Sequence, residues 1–588
     1  PIIWTLRKNQ NFANSVLANT NLDIAFTPEL SFKTLVGLQY QDGRNETFIP
    51  IIYGNDRGSA SESNSYSNSF LTENVLTYSK VFNEKHSVNV IGGATYQTNI
   101  SRNSGISVSG FANNVTENYE LAAAESVGNP FSGYTDWTLA SFLSRVNYSF
   151  DGKYLFTASI RADGSSRFGD NHKWGYFPSG AIAWRISDEP FLKESEVVNN
   201  LKLRASYGIT GNTALNPYQS LDRLGSVKYI YGNQTDVIGF VPSGISNSDL
   251  KWETTGQLDV GFDLNILNDR LRFVFDYYKK NTKDLLASVP LPPSVGFGSI
   301  LRNLGEIQNS GIELSVDADI LRGDFKWDIS TQFSANKNEV MELAGDSDIF
   351  GAEQGAVWPS ANIARVGEPL GAFYGLLEDG LDENGFIKYQ DLSGPDGVPD
   401  GVVNALDRVI LGSYHPDFIY GLTSNFSYKG IELNISLEGV QGNELFNATN
   451  GTHLNSFQRG NNQFRDILGN YWTEENPDPN AKYPKISSAT QITVSDRFIE
   501  DASYLRIRSL RLAYNLPVQQ IGLTGFDMAQ IYLSGTNLFT FTSYTGLDPE
   551  ANTRGTDSSN VADRLRFGHD QSSYPNAKIY AIGLKFRF

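Results

Sequence analysis

The sequence contains no cysteine, and it has only two methionines and five histidines among 588 residues. A cytosolic enzyme of this length usually carries a few thiols, whereas a chain exported through an oxidising compartment gains from having none. No stretch of about 18 consecutive apolar residues occurs, which excludes a transmembrane helix. A net charge of −18 argues against a nucleic-acid partner, because nucleic acids bind basic surfaces.

Catalytic motifs are also missing. The histidines are scattered through the chain and match no metal or triad spacing. They are His86, His172, His415, His453 and His569. The sequence contains no G-x-S-x-G, no phosphate-binding loop and no H-E-x-x-H. We therefore predict a protein that is not an enzyme.

The dominant positive signal is strict alternation of apolar and polar residues over long segments. In Leu258–Ile266 every second residue is apolar, and the residues between them include Asp259 and Asp263. The same pattern recurs in 271–277, in 312–320 and in 431–437. These segments exceed the usual strand length of about 5–6 residues, and full charges lie in the middle of their polar faces. Such strands suit a wall with lipid on one side and enclosed water on the other.

Aromatic content and connections favour the same fold. The chain has 29 Tyr, 36 Phe and 8 Trp, as the aromatic girdles of a membrane barrel require. Asn268–Asp269 and Lys429–Gly430 read as tight hairpin turns. Long polar connections are predicted at 208–250, 345–415, 440–500 and 545–575, and a Ser/Asn-rich loop tip at 56–70. The fold class is therefore predicted as all-β, a large antiparallel transmembrane β-barrel with long extracellular loops.

The C-terminus ends in an alternating strand with a terminal phenylalanine. Its apolar face would carry Tyr580, Ile582, Leu584, Phe586 and Phe588. This pattern resembles the signal that the barrel-assembly machinery reads, so we expect the five side chains to direct insertion.

Several stretches resemble the SusC/RagA family of TonB-linked outer-membrane proteins. They are Arg161–Gly169, Trp174–Leu192, Leu201–Asn212, Leu250–Asp263, Arg270–Leu286, Asn303–Leu314, Ser503–Pro517 and Thr536–Glu550. The resemblance implies a barrel of 22 strands with an N-terminal plug. It also implies a SusD-like surface lipoprotein over the mouth, and TonB pulling on the plug to admit oligosaccharides or peptides.

The start of the chain departs from that pattern. Pro1 is not preceded by a signal peptide. Neither a TonB box nor a plug is recognisable before Leu22–Tyr40, a segment with the residue pattern of strands. We expect 1–588 to be a partial barrel that lacks the plug and the first strands. The TonB complex would then act through that missing N-terminal region, and outer-membrane lipid would surround the strands.

One loop suggests a calcium site. The segment 391–407 (DLSGPDGVPDGVVNALD) resembles the start of a D-x-[DN]-x-D-G calcium loop, in which hard oxygen ligands sit on a flexible turn. The candidate ligands are Asp391, Ser393, Asp396, Asp400 and Asp407. Two prolines and altered spacing break the pattern, and a solvated Asp/Gly/Pro turn is the alternative. Calcium is the only cofactor that the sequence suggests.

Aromatic residues in the long loops are candidates for contacts with cargo or partner. They are Trp358, Phe373, Tyr374, Tyr471 and Trp472. They would stack on sugar rings or grip a peptide. The alternative is that they anchor the loops or dock the lipoprotein cap.

Three functions remain open from the sequence. The first is import of a large nutrient, and the second is a structural scaffold within a larger outer-membrane complex. The third is a soluble carbohydrate-binding protein, which the charges in the middle of the strands and Phe588 disfavour.

Overall fold

A computed structural model describes most of the chain. The described residues are 7–51, 57–213, 215–231, 235–343, 347–353, 358–455, 463–487, 492–522, 525–552 and 565–588. Within these residues no helix has both the length and the apolar character needed to cross a membrane.

The structure consists almost entirely of strands, numbered here in chain order. The first half holds β1 Lys8–Ala25, β2 Leu30–Ile49, β3 Ser59–Phe82, β4 His86–Phe111, β5 Ala124–Val127, β6 Phe131–Phe150, β7 Tyr154–Ser165, β8 Trp174–Arg185, β9 Val198–Asn212, β10 Arg223–Tyr231, β11 Thr235–Gly244, β12 Glu253–Ile266, β13 Leu271–Lys283, β14 Leu286–Pro290 and β15 Ser299–Asn303. The second half holds β16 Glu306–Arg322, β17 Phe325–Glu342, β18 Ile349–Phe350, β19 Asn362–Ala364, β20 Ala372–Gly375, β21 Glu378–Leu381, β22 Ile387–Tyr389, β23 Val409–Gly412, β24 Phe418–Tyr428, β25 Ile431–Gln441, β26 Glu444–Asn447, β27 Ile499–Asp501, β28 Tyr504–Leu516, β29 Met528–Thr542, β30 His569–Asp570 and β31 Ile579–Arg587. A short α-helix, α1, spans Ala448–Asn455.

Two compact units divide the chain. The first consists of Pro1–Ile182, Gly208–Thr254 and Val289–Asn303. In it β1, β2, β3, β4, β6 and β7 pair in that order, each antiparallel to the next. The strands β3 and β4 reach 24 and 26 residues. Since about 9–11 residues cross a bilayer, these strands are long enough to extend well beyond one.

The second unit consists of Ala183–Tyr207, Thr255–Ser288 and Leu304–Phe588. In it β13, β16, β17, β24, β25, β28, β29 and β31 pair in order as a second antiparallel meander. The predicted alternating segments fall inside strands of this chain, namely β12, β13, β16, β25 and β31, except that Phe588 lies just beyond the end of β31.

Register keeps the two chemical faces separate across neighbouring strands. Leu433 lies opposite Phe426 on one side and Leu512 on the other. The adjacent Asn434 lies opposite Asn425 and Arg511. Because side chains alternate across a strand, this pairing builds one apolar and one polar face. On the apolar face large side chains stand exposed, as for leucines 512, 533 and 584 at 47%, 57% and 61%.

The short turns have the backbone conformation, with positive φ, that tight hairpins require. Asn268 and Asp269 have φ of 59° and 57°, and Lys429 and Gly430 have φ of 47° and 86°. Residues in this left-handed region match the twist of the flanking strands, and glycine adopts it without strain. Both hairpins predicted from the sequence are confirmed.

One loop prediction is wrong. The Ser/Asn-rich segment 56–70 lies mostly in β3, where Ser59–Phe82 pairs with β2 on one edge and with β4 on the other. Serine and asparagine are common in loops, but pairing on both edges overrides that preference. Likewise, the predicted connection 208–250 contains the hairpin of β10 and β11.

The long connections after β17 and β25 have a core of their own. Its buried members are Trp358, Ala361, Phe373, Phe446, Ala448, Leu454, Ile492, Val494 and Phe498. We call this set the loop core. It draws side chains from both predicted loops, 345–415 and 440–500, so these segments are folded against each other.

Candidate functional site

The polar face of the second unit carries opposite charges across neighbouring strands. Arg204 in β9 lies 2.9 Å from an Asp263 oxygen and 3.0 Å from an Asp276 oxygen. In β25, Glu432 accepts hydrogen bonds from Asn515 and Gln530 at 2.6 and 3.1 Å. The charges predicted for a water-facing wall are thus held in fixed geometry by partners on adjacent strands.

A β-bulge concentrates arginines on this face. Ser436 pairs with Ser509 and Leu437 with Ile507, so Arg508 is the extra residue in β28. A bulge of this kind shifts the alternation by one residue. As a result Arg506 pairs with Glu438, and Arg511 with Asn434, on the same polar face.

These arginines meet an acidic loop that follows β29. The Arg506 Nη2 lies 2.6 Å from Asp548, and Nη1 contacts Glu550. Arg508 Nη2 donates to Glu550 at 2.9 Å, and Tyr504 Oη donates to the same carboxylate at 2.9 Å. We call these five residues the arginine cluster. Only 2% of the Arg506 side chain is exposed, so the pairing is buried.

Sequence reasoning did not identify the arginine cluster. Both of its segments, 503–517 and 536–550, belong to the stretches that resemble the SusC/RagA family. That resemblance implies no role for their charged residues. Three arginines within six positions of one strand were the available signal.

The predicted loop aromatics lie mostly in the interior of the loops. Trp358, Phe373, Tyr374 and Trp472 are 2%, 0%, 8% and 4% exposed. Trp358 packs edge-on against Phe446 and Phe498 of the loop core, with ring centroids 5.2 and 5.4 Å apart. Tyr471 is partly exposed. A role in contacting cargo or partner stays a prediction for all five.

Polar contacts also join the loops. Glu500 in β27 accepts Nδ2 bonds from Asn447 and Asn450, both at 2.9 Å, and the backbone N–H of Thr545, also at 2.9 Å. Tyr544 donates to Asp570 at 2.7 Å. Burial, reinforced by that carboxylate, raises the pKa of Tyr544 well above its usual range, so the phenol stays a donor.

Two histidines take part in loop packing. His569 is fully buried and its Nε2 contacts Asn362 Oδ1, between β30 and β19. His415 Nε2 lies 3.0 Å from the Leu370 carbonyl. Burial lowers the pKa of His415, which keeps its ring neutral.

The candidate calcium loop is organised around Asp407. This carboxylate is buried and accepts the backbone N–H groups of Leu392, Ser393 and Asn404 at 2.7, 2.9 and 2.7 Å. Asp391 in turn accepts the N–H of Gly401 at 2.6 Å. Across the described residues no three His, Asp or Glu side chains converge to hold a metal. A calcium ion on Asp391, Ser393, Asp396, Asp400 and Asp407 stays a prediction.

We expect Asp407→Asn to loosen the segment 391–407, because the amide keeps only one oxygen for three donors. Backbone hydrogen bonds hold the pKa of Asp407 below its usual range. The stabilisation is therefore present above about pH 4 and is lost as the pH falls through the lowered folded pKa. Hydrogen exchange of this segment measures the loosening in the variant and, followed against pH, the loss of stabilisation in the wild type. The wild type is also compared with and without EGTA. If EGTA alone accelerated exchange in the wild type, calcium would be the organising group instead.

The proposed assembly signal is exposed. Tyr580, Ile582, Leu584 and Phe586 of β31 are 72%, 77%, 61% and 45% exposed. Phe588 lies just beyond the strand, with its ring centroid 4.8 Å from that of Phe526. Recognition by the assembly machinery stays a prediction.

Comparison with known proteins gives concordant matches. A family model described as "TonB dependent receptor-like, beta-barrel" matches residues 3–538. TonB-dependent receptor P3 of Formosa agariphila is 34% identical over 98% of this chain and 58% of its own length. TonB-dependent receptor SusC of Bacteroides thetaiotaomicron is 29% identical over 99% of this chain and 57% of its own. The chain thus spans less than two thirds of these relatives.

A solved structure agrees over nearly the whole chain. The structure of the RagAB peptide transporter superposes with a TM-score of 0.84 at 25% identity, covering 99% of this chain and 62% of that one. The fold class predicted from the alternation, a large antiparallel β-barrel, is therefore confirmed.

Proposed function

Because this chain belongs to the family of TonB-dependent receptor-like β-barrels of the outer membrane, we propose that it forms the wall of a SusC-type importer for a large nutrient. The cargo class is an oligosaccharide or a peptide. The RagAB structure is titled a peptide transporter, which supports the peptide as the first class to test. The soluble alternative does not fit a member of this family.

One structural observation supports import more than any other. Every strand pair around β25 separates an exposed apolar face from a polar face whose charges are hydrogen-bonded across strands. A lipid-facing and a water-facing surface are the requirements of a wall that surrounds a polar path. The loop core adds folded segments next to those strands, where an importer must select its cargo.

The partners follow from the same proposal. A SusD-like surface lipoprotein would cap the loops, as the resemblance implies. The TonB complex would supply energy through sequence that precedes this barrel region in the whole protein. Neither barrel nor loops would carry out any chemistry on the cargo.

Uptake measured in cells tests the proposal. The receptor gene is deleted and restored together with its neighbouring lipoprotein gene, and entry of labelled oligosaccharides and labelled peptides is followed. We expect uptake of one class in the restored strain, and loss of that uptake when TonB is deleted or a protonophore is added. Co-purification of the lipoprotein with the receptor measures the partnership separately.

A different outcome would favour the scaffold. A receptor that inserts normally and co-purifies with other outer-membrane proteins, yet gives the same uptake of both classes with and without TonB, would contradict import.

A further inference from the structure

Strand β17 extends beyond its neighbour β24. It pairs with β16 over nearly its whole length, from Lys326 to Glu342. With β24 it pairs only from Phe325 to Ser334. The stretch from Ala335 to Glu339 therefore has a strand on one edge and none on the other within the described residues.

The backbone of this stretch points alternately to the two edges. A Cβ placed on Gly311 of β16 would lie 2.3 Å from the Ala335 carbonyl oxygen, so Ala335 faces β16. Val340 faces the other way, since its N–H donates to Glu368 and its carbonyl accepts from Gly367, at 2.9 and 2.8 Å. Between them Asn336 and Asn338 must also face away from β16.

Two N–H and two C=O groups thus point toward the open edge, where Asn336 is partly exposed and Asn338 is 9% exposed. In the described part of the chain neither Asn336 nor Asn338 makes a backbone hydrogen bond in that direction. Repeated donors and acceptors two residues apart are the pattern that pairs with another extended backbone.

A cavity of about 670 Å³ lies at this edge, and we call it the notch. Its lining includes residues 335–338 of β17 and Tyr277 and Ile312 of the adjacent strands. From the loops it includes 367–369, Ile410, Gly412, Ser413 and 415–417. Its volume falls in the range of small-ligand pockets. At about 3.4 Å per residue, the edge from Ala335 to Glu339 accommodates about five extended residues.

The open edge is held rigidly. Tyr278 donates to the Asn336 side-chain oxygen at 2.9 Å. The Asn338 side chain donates to Asn309 at 2.9 Å and accepts the N–H of Leu370 at 2.8 Å. An edge whose side chains are fixed loses little conformational freedom when a further strand pairs with it.

The charge of the lining is negative. Glu368, Asp417 and Glu444 line the notch, against a single ammonium from Lys337. That ammonium lies 2.7 Å from Glu339, so its charge is already balanced. Glu444 accepts the N–H of Ser413 at 2.7 Å, and the neutral His415 adds no positive charge.

We propose that the notch binds a short, extended, positively charged peptide, which pairs with Asn336 and Asn338 as an added strand. Backbone pairing supplies affinity and the carboxylates select basic side chains, as in other cases of strand addition. Peptide binding in the notch is an equilibrium property of the receptor and does not depend on the proposed import. An experiment that contradicts one of the two proposals therefore leaves the other standing.

The probe is a dye-labelled pentapeptide of alternating threonine and lysine, titrated into the receptor purified in detergent. Fluorescence anisotropy gives the affinity. We expect the lysine peptide to bind at least tenfold more tightly than a pentapeptide of alternating threonine and glutamate. Glu368→Gln should reduce the affinity of the lysine peptide about threefold to tenfold.

Asn336→Pro and Asn336→Ala separate backbone pairing from loss of the side chain. Both remove the bond from Tyr278, but only proline removes the N–H that faces the notch. We expect the proline variant to bind the lysine peptide at least tenfold more weakly than the alanine variant. Equal affinities of the two variants would overturn the proposal, as would equal binding of the two peptides.

If the proline variant does not fold, the wild type decides the question. Hydrogen exchange is followed in the fragment covering residues 335–339, with and without the lysine peptide. Slower exchange at Asn336 and Asn338 supports strand addition, and unchanged exchange at a saturating peptide concentration overturns it.

Discussion

Replacement of Arg506 by alanine is expected to lower the free energy of unfolding by about 3–5 kcal/mol, since it removes one partner of a buried ion pair. Arg506 is 2% exposed and its partner Asp548 is 7% exposed. Without the guanidinium, Asp548 keeps its charge in a largely buried site. Urea unfolding in detergent, followed by tryptophan fluorescence, measures the change.

Arg508→Ala is the matched control. This side chain is 34% exposed and shares Glu550 with Arg506, so its removal should cost about 1 kcal/mol or less. Combining Arg506→Met with Asp548→Leu should recover part of the loss, because the unpaired charge is then removed as well. If the two alanine variants lowered the free energy of unfolding equally, burial would not determine how much each arginine of the cluster stabilises the fold.

Replacement of Ile435 by arginine is expected to cost about 2–4 kcal/mol, the range for a cation near the middle of a lipid-facing strand. Ile435 lies opposite Leu510 in β28, in the middle of β25 and on the apolar face. Ser436→Arg is the control at the same depth, on the polar face beside Glu438. Unfolding of both variants from lipid vesicles gives the comparison. If Ser436→Arg were the more damaging change, the two faces would be reversed.

The strands of this chain were predictable from the alternation of residue types. The segment 258–266 lies in β12 and 431–437 in β25, and the two hairpin turns were found as well. Apolar and polar residues alternate in the sequence because each strand has one face toward lipid and the other toward water. The predicted strand was too short where polar residues continue it, as at the N-terminal end of β16.

The phase of the alternation was not predictable everywhere. Strict alternation in β28 would place Arg506 and Arg511 on opposite faces, but the bulge at Arg508 brings both to the polar face. A bulge depends on how a strand pairs with its neighbour, which local sequence does not record. The arginine cluster was missed for this reason.

Loop residues were predicted by type but not by environment. Trp358 and Phe373 were considered for ligand contact because aromatic side chains in loops often bind ligands. The structure buries them in the loop core, which is assembled from segments more than 70 residues apart. Serine and asparagine were misleading in the opposite direction, since 56–70 is mostly strand.

The unequal connections of the strands have a consequence for divergence within the family. An extra residue between β24 and β25 would shift their register by one position. Every apolar side chain of one strand would then face water. The segments that follow β17 and β25 absorb insertions at little cost, since loop-closure entropy grows slowly with length. Homologues should therefore vary in length mainly in the segments that follow β17 and β25, and hardly at all in the turn between β24 and β25.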